Sequence, residues 1–204
     1  MQVGRIANWL RLLAVSCLFW AQGAQADKTW THFRDELIAL HERLTTARPV
    51  RLEKSEAQPF PGEAAKGFFF QDFYYYDQAS GRLISHVRRA PDSPEAVYEV
   101  EVNIYDEAGR VVRDYAAIML PWELKLPTRT FINLHSYPGQ LHVFRQFDAS
   151  GDIFYESCEG QLEGKKIELQ LESIDVGPKL RATPLYQACF ASLPMKPGIY
   201  LKPQ

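Results

Sequence analysis

Two histidines in "LHSYPGQLH", His135 and His142, are the first residues whose types and spacing could do chemistry. If Pro138-Gly139 lies at the centre of an even-numbered loop, the two face each other directly across a hairpin. Their Cβ atoms would then sit ~5 Å apart on one face, close enough to share a metal ion. Zinc takes three or four protein ligands, and the sequence names no third. A three-residue loop would break the pairing. A solvated or ring-stacked histidine pair is therefore the plainer expectation.

The second concentration of chemistry is aromatic. "GFFFQDFYYYD" reads as a strand, and alternation places Phe69, Phe73 and Tyr75 on one face and Phe68, Phe70, Tyr74 and Tyr76 on the other. With both faces aromatic, the run is either buried on two sides or lines a ligand cavity. The tyrosine hydroxyls need partners, which suggests wet surface nearby.

Local catalytic signatures are missing. There is no G-x-S-x-G elbow, H-E-x-x-H helix, Walker loop or G-x-G-x-x-G turn. Ser85 and His86 are adjacent on a strand and so point to opposite faces, where they cannot act as a nucleophile–base pair with each other. Glu99 and Glu101 lie on the polar side of a strand, where solvated charge is the default. Nothing points to a cofactor.

Three acidic corners remain, at Asp77/Gly81, Asp106/Gly109 and Asp148/Gly151. Each ends an extended run with aspartate, which can bond the backbone two residues on. Glycine then supplies a left-handed residue before the next run. A calcium loop would need oxygen ligands at alternate positions, and "DEAG" and "DASG" lack them. "YDEAGR" resembles the core of the YD (Rhs-type) repeat over about six residues, as hairpin chemistry with no function attached.

These corners imply the elements between them. Residues 28–47 carry Trp30, Phe33, Leu37, Leu40 or His41, and Leu44 on one face, the pattern of an amphipathic helix that Arg48-Pro49 ends. Residues 49–66 are polar with three prolines and read as a connection, with "PVRLE" as a short strand at most. From Gly67 the period becomes two, and eight strands follow. "LYQACFASLP" is a ninth strand or a short segment tied back by Cys189.

Residues 1–26 have the layout of a secretory leader: Arg5 and Arg11, a short apolar run, then "AQGAQA" with cleavage expected after Ala26. The run is far short of the ~20 residues needed to span a bilayer. A lipoprotein with lipidated Cys17 is the alternative. Cleavage after Ala26 leaves 178 of the 204 residues, with 21 Lys+Arg against 25 Asp+Glu and a net charge near −4. No basic stripe exists to hold a phosphate backbone, which argues against nucleic acid. Export leaves Cys158 and Cys189, an even pair read as a disulfide.

The expectation is a mainly β protein with domain boundaries at 1–26, 27–48, 49–66 and 67–204. Its core is an antiparallel up-and-down meander of eight or nine strands, a barrel or curled half-barrel, with one N-terminal amphipathic helix against it. The expected location is periplasmic or secreted, without a transmembrane segment after cleavage. The leading functional expectation is a non-enzymatic binding module for an apolar or aromatic small molecule or lipid, using Phe69, Phe73, Tyr74, Tyr75 and Tyr76. The alternative is an envelope protein–protein module. A hydrolase or metal-dependent enzyme at His135 and His142 is the third reading.

Overall fold

The computed structural model describes residues 28–61 and 66–204. The expected leader, its cleavage after Ala26 and the Cys17 alternative lie outside the described residues.

Helix α1 covers residues 28–46. Its spacing buries Phe33, Leu37, Leu40 and His41, as the periodicity requires. The strands follow in order: β1 Val50–Lys54, β2 Gln58–Pro59, β3 Phe69–Asp77, β4 Leu83–Ala90, β5 Ser93–Tyr105 and β6 Val111–Ile118. β7 Arg129–Ser136, β8 Gln140–Phe147, β9 Ile153–Leu162 and β10 Lys165–Glu172 complete the set. All pair antiparallel in the order β1-β3-β4-β5-β6-β7-β8-β9-β10, with β2 beside β3. β3 to β10 are the eight strands expected from alternation. The sheet is open, since β1 and β10 end the order without pairing to each other.

The three corners are hairpin turns. Gly81, Gly109 and Gly151 have φ of +72°, +82° and +89°. Asp106 Oδ1 accepts from Arg110 N at 2.9 Å, and Asp148 Oδ1 accepts from Ser150 N at 2.8 Å. Hydrogen bonds from backbone N–H groups hold the Asp77 and Asp106 carboxyls below their ordinary value.

Two parts of the sheet differ from expectation. Residues 49–66 contribute β1 and β2, so the sheet starts at Val50 and has ten strands. β1 is the edge, and Arg51, Glu53 and Lys54 on it are exposed. An edge strand needs no apolar alternation, and charge protects it from further pairing. At the other end, the segment holding Cys189 is the tied-back alternative and not a ninth strand: it forms helix α3 (Pro184–Phe190). Thr183 caps it, accepting from Tyr186 N at 3.3 Å, and Pro184 pre-sets its first turn. Helix α2 (Pro178–Arg181) precedes it.

One sheet face is covered by α1 and by the C-terminal segment. Phe33 meets Tyr115 edge-on at 6.1 Å, and Trp30 Nε1 donates to Ser150 Oγ at 3.0 Å. At the other end, α3 buries Tyr186 and Phe190 against β8 and β9, and Cys189 bonds to Cys158. Beneath it lies the fully buried pair Arg145–Glu156, 2.5 Å apart. Arg145 Nη1 donates to Leu193 O and Pro194 O, both at 2.8 Å. Tyr186 Oη donates to the Glu156 carboxylate at 2.9 Å. Among the described residues, no helix is long and apolar enough to cross a membrane.

This network predicts an asymmetric mutational response. Glu156→Gln strands the Arg145 charge in the interior and should lower unfolding free energy by about 3–5 kcal/mol. Joint replacement by Arg145→Met and Glu156→Leu should recover little, because it orphans the Leu193 and Pro194 carbonyls that Arg145 satisfies. Urea denaturation of the two variants checks both statements; full recovery in the double variant would contradict the second.

Candidate functional site

The second face of the sheet carries two chains of ionisable groups built by strand register. The first centres on β3, β4 and β5. Asp72 pairs with Arg88, Tyr74 with His86, and His86 with Glu101. His86 Nε2 lies 2.8 Å from Asp72 Oδ1, and its Nδ1 lies 3.5 Å from Glu101 Oε2. Arg88 bridges Asp72 at 2.9 Å and Glu99 at 3.2 Å, while Tyr74 stacks on the His86 ring at 4.8 Å.

Burial of His86 by itself favours the neutral ring. The hydrogen bonds to Glu101 and Asp72, with the Asp72 charge, outweigh it and raise the His86 pKa. Asp72 shows the converse: burial pushes its carboxyl up, but Arg88 and His86 bring it below the ordinary value. Burial raises Glu99 against the pull of Arg88. At mildly acidic pH the cluster is an imidazolium and a guanidinium among three carboxyl groups.

The second chain crosses β6, β7, β8 and β9. His135 does not oppose His142; its ladder partner is Phe144, and the ladder ends at Ser136↔Val143. The register is shifted by two residues from the expected even-numbered loop, because the turn is wider than Pro138-Gly139 alone. A two-residue shift preserves the face, so the histidines meet diagonally. His135 Nδ1 and His142 Nε2 are 3.0 Å apart. The ring planes differ by 3° and the centroids are 5.3 Å apart. That separation is the nitrogen–nitrogen distance plus a ring radius on each side, so the rings meet edge to edge. The geometry is an in-line N–H···N hydrogen bond, not face-to-face stacking.

The outer nitrogens are also engaged. His135 Nε2 lies 2.7 Å from Asp114 Oδ2, and His142 Nδ1 lies 3.1 Å from Glu159 Oε1. Three hydrogen bonds across four ring nitrogens require three protons. Two neutral imidazoles carry two, so the chain shares one proton more than the neutral rings supply. Gly160, with φ +130°, permits the approach of β8 to β9 beside it: an added Cβ would lie 2.1 Å from Gln140 O. Among the described residues, no group of three or more His, Cys, Asp or Glu side chains is arranged to hold a metal ion.

On the covered face, Ser85 meets a histidine that adjacency had not suggested. His41 Nδ1 of α1 lies 2.8 Å from Ser85 Oγ, and both residues are buried. Burial, assisted by the Arg89 charge, lowers the His41 pKa to about 4. With both groups buried, this pair anchors the helix to the sheet.

The aromatic strand divides as alternation predicts, and most of its rings already have protein partners. Tyr75 meets His41 edge-on, Tyr76 lies under Arg51, and Phe73 lies under Lys54 and Arg89. Phe70 is buried between Phe60 and Arg88. Phe69 stands apart, 44% exposed, at the end of the sheet where Trp122 is 52% exposed. Phe68 reaches the Trp122 ring at 6.0 Å, and the Lys66 ammonium lies 5.5 Å over it. Trp122, in the loop after β6, carries no periodic signal that could mark it in advance.

The two histidine environments predict opposite pH responses. A raised His86 contributes fully below the unfolded value near 6.5, and that contribution fades as pH rises through the higher folded value. A lowered His41 acts the other way: as pH falls from 6.5 towards 4, stability drops by on the order of 3 kcal/mol. Urea midpoints of His86→Gln should therefore trail wild type most at about pH 5 and converge with it at alkaline pH. A deficit that grew with pH would contradict this assignment.

Calorimetric titration with Zn²⁺ tests the second chain. With every ring nitrogen hydrogen-bonded, wild type and His135→Gln should give the same weak heats. A stoichiometric wild-type isotherm lost in His135→Gln would show the rings open to a metal instead.

Comparison of the chain with protein-family models, with curated proteins and with solved structures gave no match to any of them.

Proposed function

We propose that this chain is an exported, non-enzymatic binding module whose ligand is an apolar or aromatic small molecule or a lipid. The contact site is the aromatic end of the sheet, at Phe69 and Trp122. The export reading rests on the composition of residues 1–26, and the Cys158–Cys189 disulfide is compatible with it.

The observation that carries the binding reading is the pair of exposed rings. Phe69 and Trp122 are each about half exposed, whereas the neighbouring aromatics of β3 are engaged by protein groups. Phe68 meets the Trp122 ring, and Phe60 makes edge-on contacts with Phe70 and Tyr98 in the same part of the chain. Covering one such ring contributes roughly 1.5–3 kcal/mol, enough to make each ring measurable in affinity.

Residues 27–204 contain two tryptophans, Trp30 and Trp122, so Trp30→Phe leaves Trp122 as the sole indole reporter. Titration with oleate and with 1-naphthol should give a saturable blue shift of Trp122 emission for at least one probe. Phe69→Ala in that background should weaken binding by about tenfold, or ~1.4 kcal/mol. No saturable shift with either probe, or a Phe69→Ala titration equal to the parent, would contradict the proposal.

A further inference from the structure

The C-terminal segment has a surface unlike the rest of the molecule. Of nine exposed large hydrophobic residues among those described, five fall within it: Ile174, Leu185, Met195, Ile199 and Leu201. Ile174 is 87% exposed and Ile199 70%. Neither contributes to the core that Tyr186, Phe190 and Leu193 form beneath. Isolated exposed aliphatics are ordinary on protein surfaces, but this many in one short segment mark an interaction site.

Charge separates the segment as sharply. Residues 173–204 contain four cationic side chains, Lys179, Arg181, Lys196 and Lys202, and one acidic side chain, Asp175. All four cations are exposed. None has an ion-pair or hydrogen-bond partner for its side chain among the described residues. Asp175 is committed locally, with Oδ2 accepting from Glu172 N at 3.1 Å. The segment therefore carries +3. Residues 27–172, with 17 Lys+Arg and 24 Asp+Glu, carry −7. The C-terminal segment is thus a cationic stretch on an otherwise acidic chain.

Basic and apolar features meet at one place in that cap. Met195, Lys196, Arg181, Val176 and Ser173 line a groove of about 440 Å³ with Asp152 and Ile153 at the start of β9. Ile174 follows Ser173, and Ile199 lies three residues beyond Lys196. The base is rigid, because Arg145 holds the Leu193 and Pro194 carbonyls and the disulfide ties α3 to β9. Exposed aliphatics interleaved with unpaired cations match a lipid interface, where chains enter the acyl boundary and ammonium groups meet anionic headgroups.

We infer that the C-terminal cap, residues 173–204, docks the protein on an anionic lipid surface. Ile174 and Ile199 insert there, and Lys179, Arg181, Lys196 and Lys202 contact the headgroups. The excess negative charge of residues 27–172 is repelled by the same surface, which turns the cap towards it. This docking is independent of the ligand site at Phe69 and Trp122.

Sedimentation of the protein spanning residues 27–204 with vesicles tests the inference. Vesicles of phosphatidylcholine with about one-fifth phosphatidylglycerol should carry the protein into the pellet, and pure phosphatidylcholine should not. Added salt should weaken the association progressively. Ile174→Glu/Ile199→Glu should reduce binding at least tenfold, with the urea midpoint unchanged because both side chains are exposed. Lys196→Glu/Lys202→Glu should do the same. Equal recovery with neutral vesicles, or undiminished binding by both double variants, overturns the inference. So does failure to bind anionic vesicles accompanied by head-to-tail self-association that the same variants abolish, which would assign the cap to the acidic body of a second copy.

Discussion

The buried Arg145–Glu156 pair is the constraint on which the rest of the structure depends. An open sheet leaves its covered face in need of a lid at both ends, and α1 supplies only one. At the other end the sheet offers a charge pair with no exposure at all, which survives only if its remaining hydrogen-bonding capacity is met. The Tyr186 hydroxyl and the Leu193 and Pro194 carbonyls meet it. The C-terminal segment is thus held to the sheet by directional bonds, and the disulfide fixes the same junction covalently. Cap and pair require each other.

The second face follows a different rule. Its ionisable groups are satisfied by one another along the strands, in the Asp72–His86–Arg88–Glu99 cluster and the Asp114–His135–His142–Glu159 chain. Cross-strand satisfaction of this kind specifies register, since a one-residue slip would remove every partner at once. These chains have the ingredients of catalytic sites, but the groups already serve each other. Exposed apolar surface lies instead at two places: the rings of Phe69 and Trp122, and the basic aliphatic cap.

Much of this was legible in the chain. Alternation gave β3 to β10, and the Asp–Gly corners gave three of the turns. Helical spacing placed Phe33, Leu37 and Leu40 in the core, and the cysteine pair is bonded. β1 could be read only as a possible short strand in "PVRLE", because an exposed charged edge carries no apolar period. Helix α3 was announced by Thr183-Pro184, but the short apolar run "LYQACF" fits a strand equally well. The histidine pairing was right in face and wrong in register, because loop width is set by backbone geometry that "SYPGQ" does not encode in composition. Asp114 and Glu159 could not be joined to the pair before that register was known. The exposure of Trp122 is a tertiary property of a loop.

The central claim is that the protein is exported and carries a ligand. Native mass spectrometry of the protein recovered from the cell envelope tests both halves in one spectrum. The predicted mass is that of a chain beginning at Asp27, less two hydrogens for the Cys158–Cys189 bond, with an additional small-molecule adduct lost on collisional activation. A chain retaining residues 1–26, or a mature chain with no adduct under conditions that preserve weak complexes, would contradict the account.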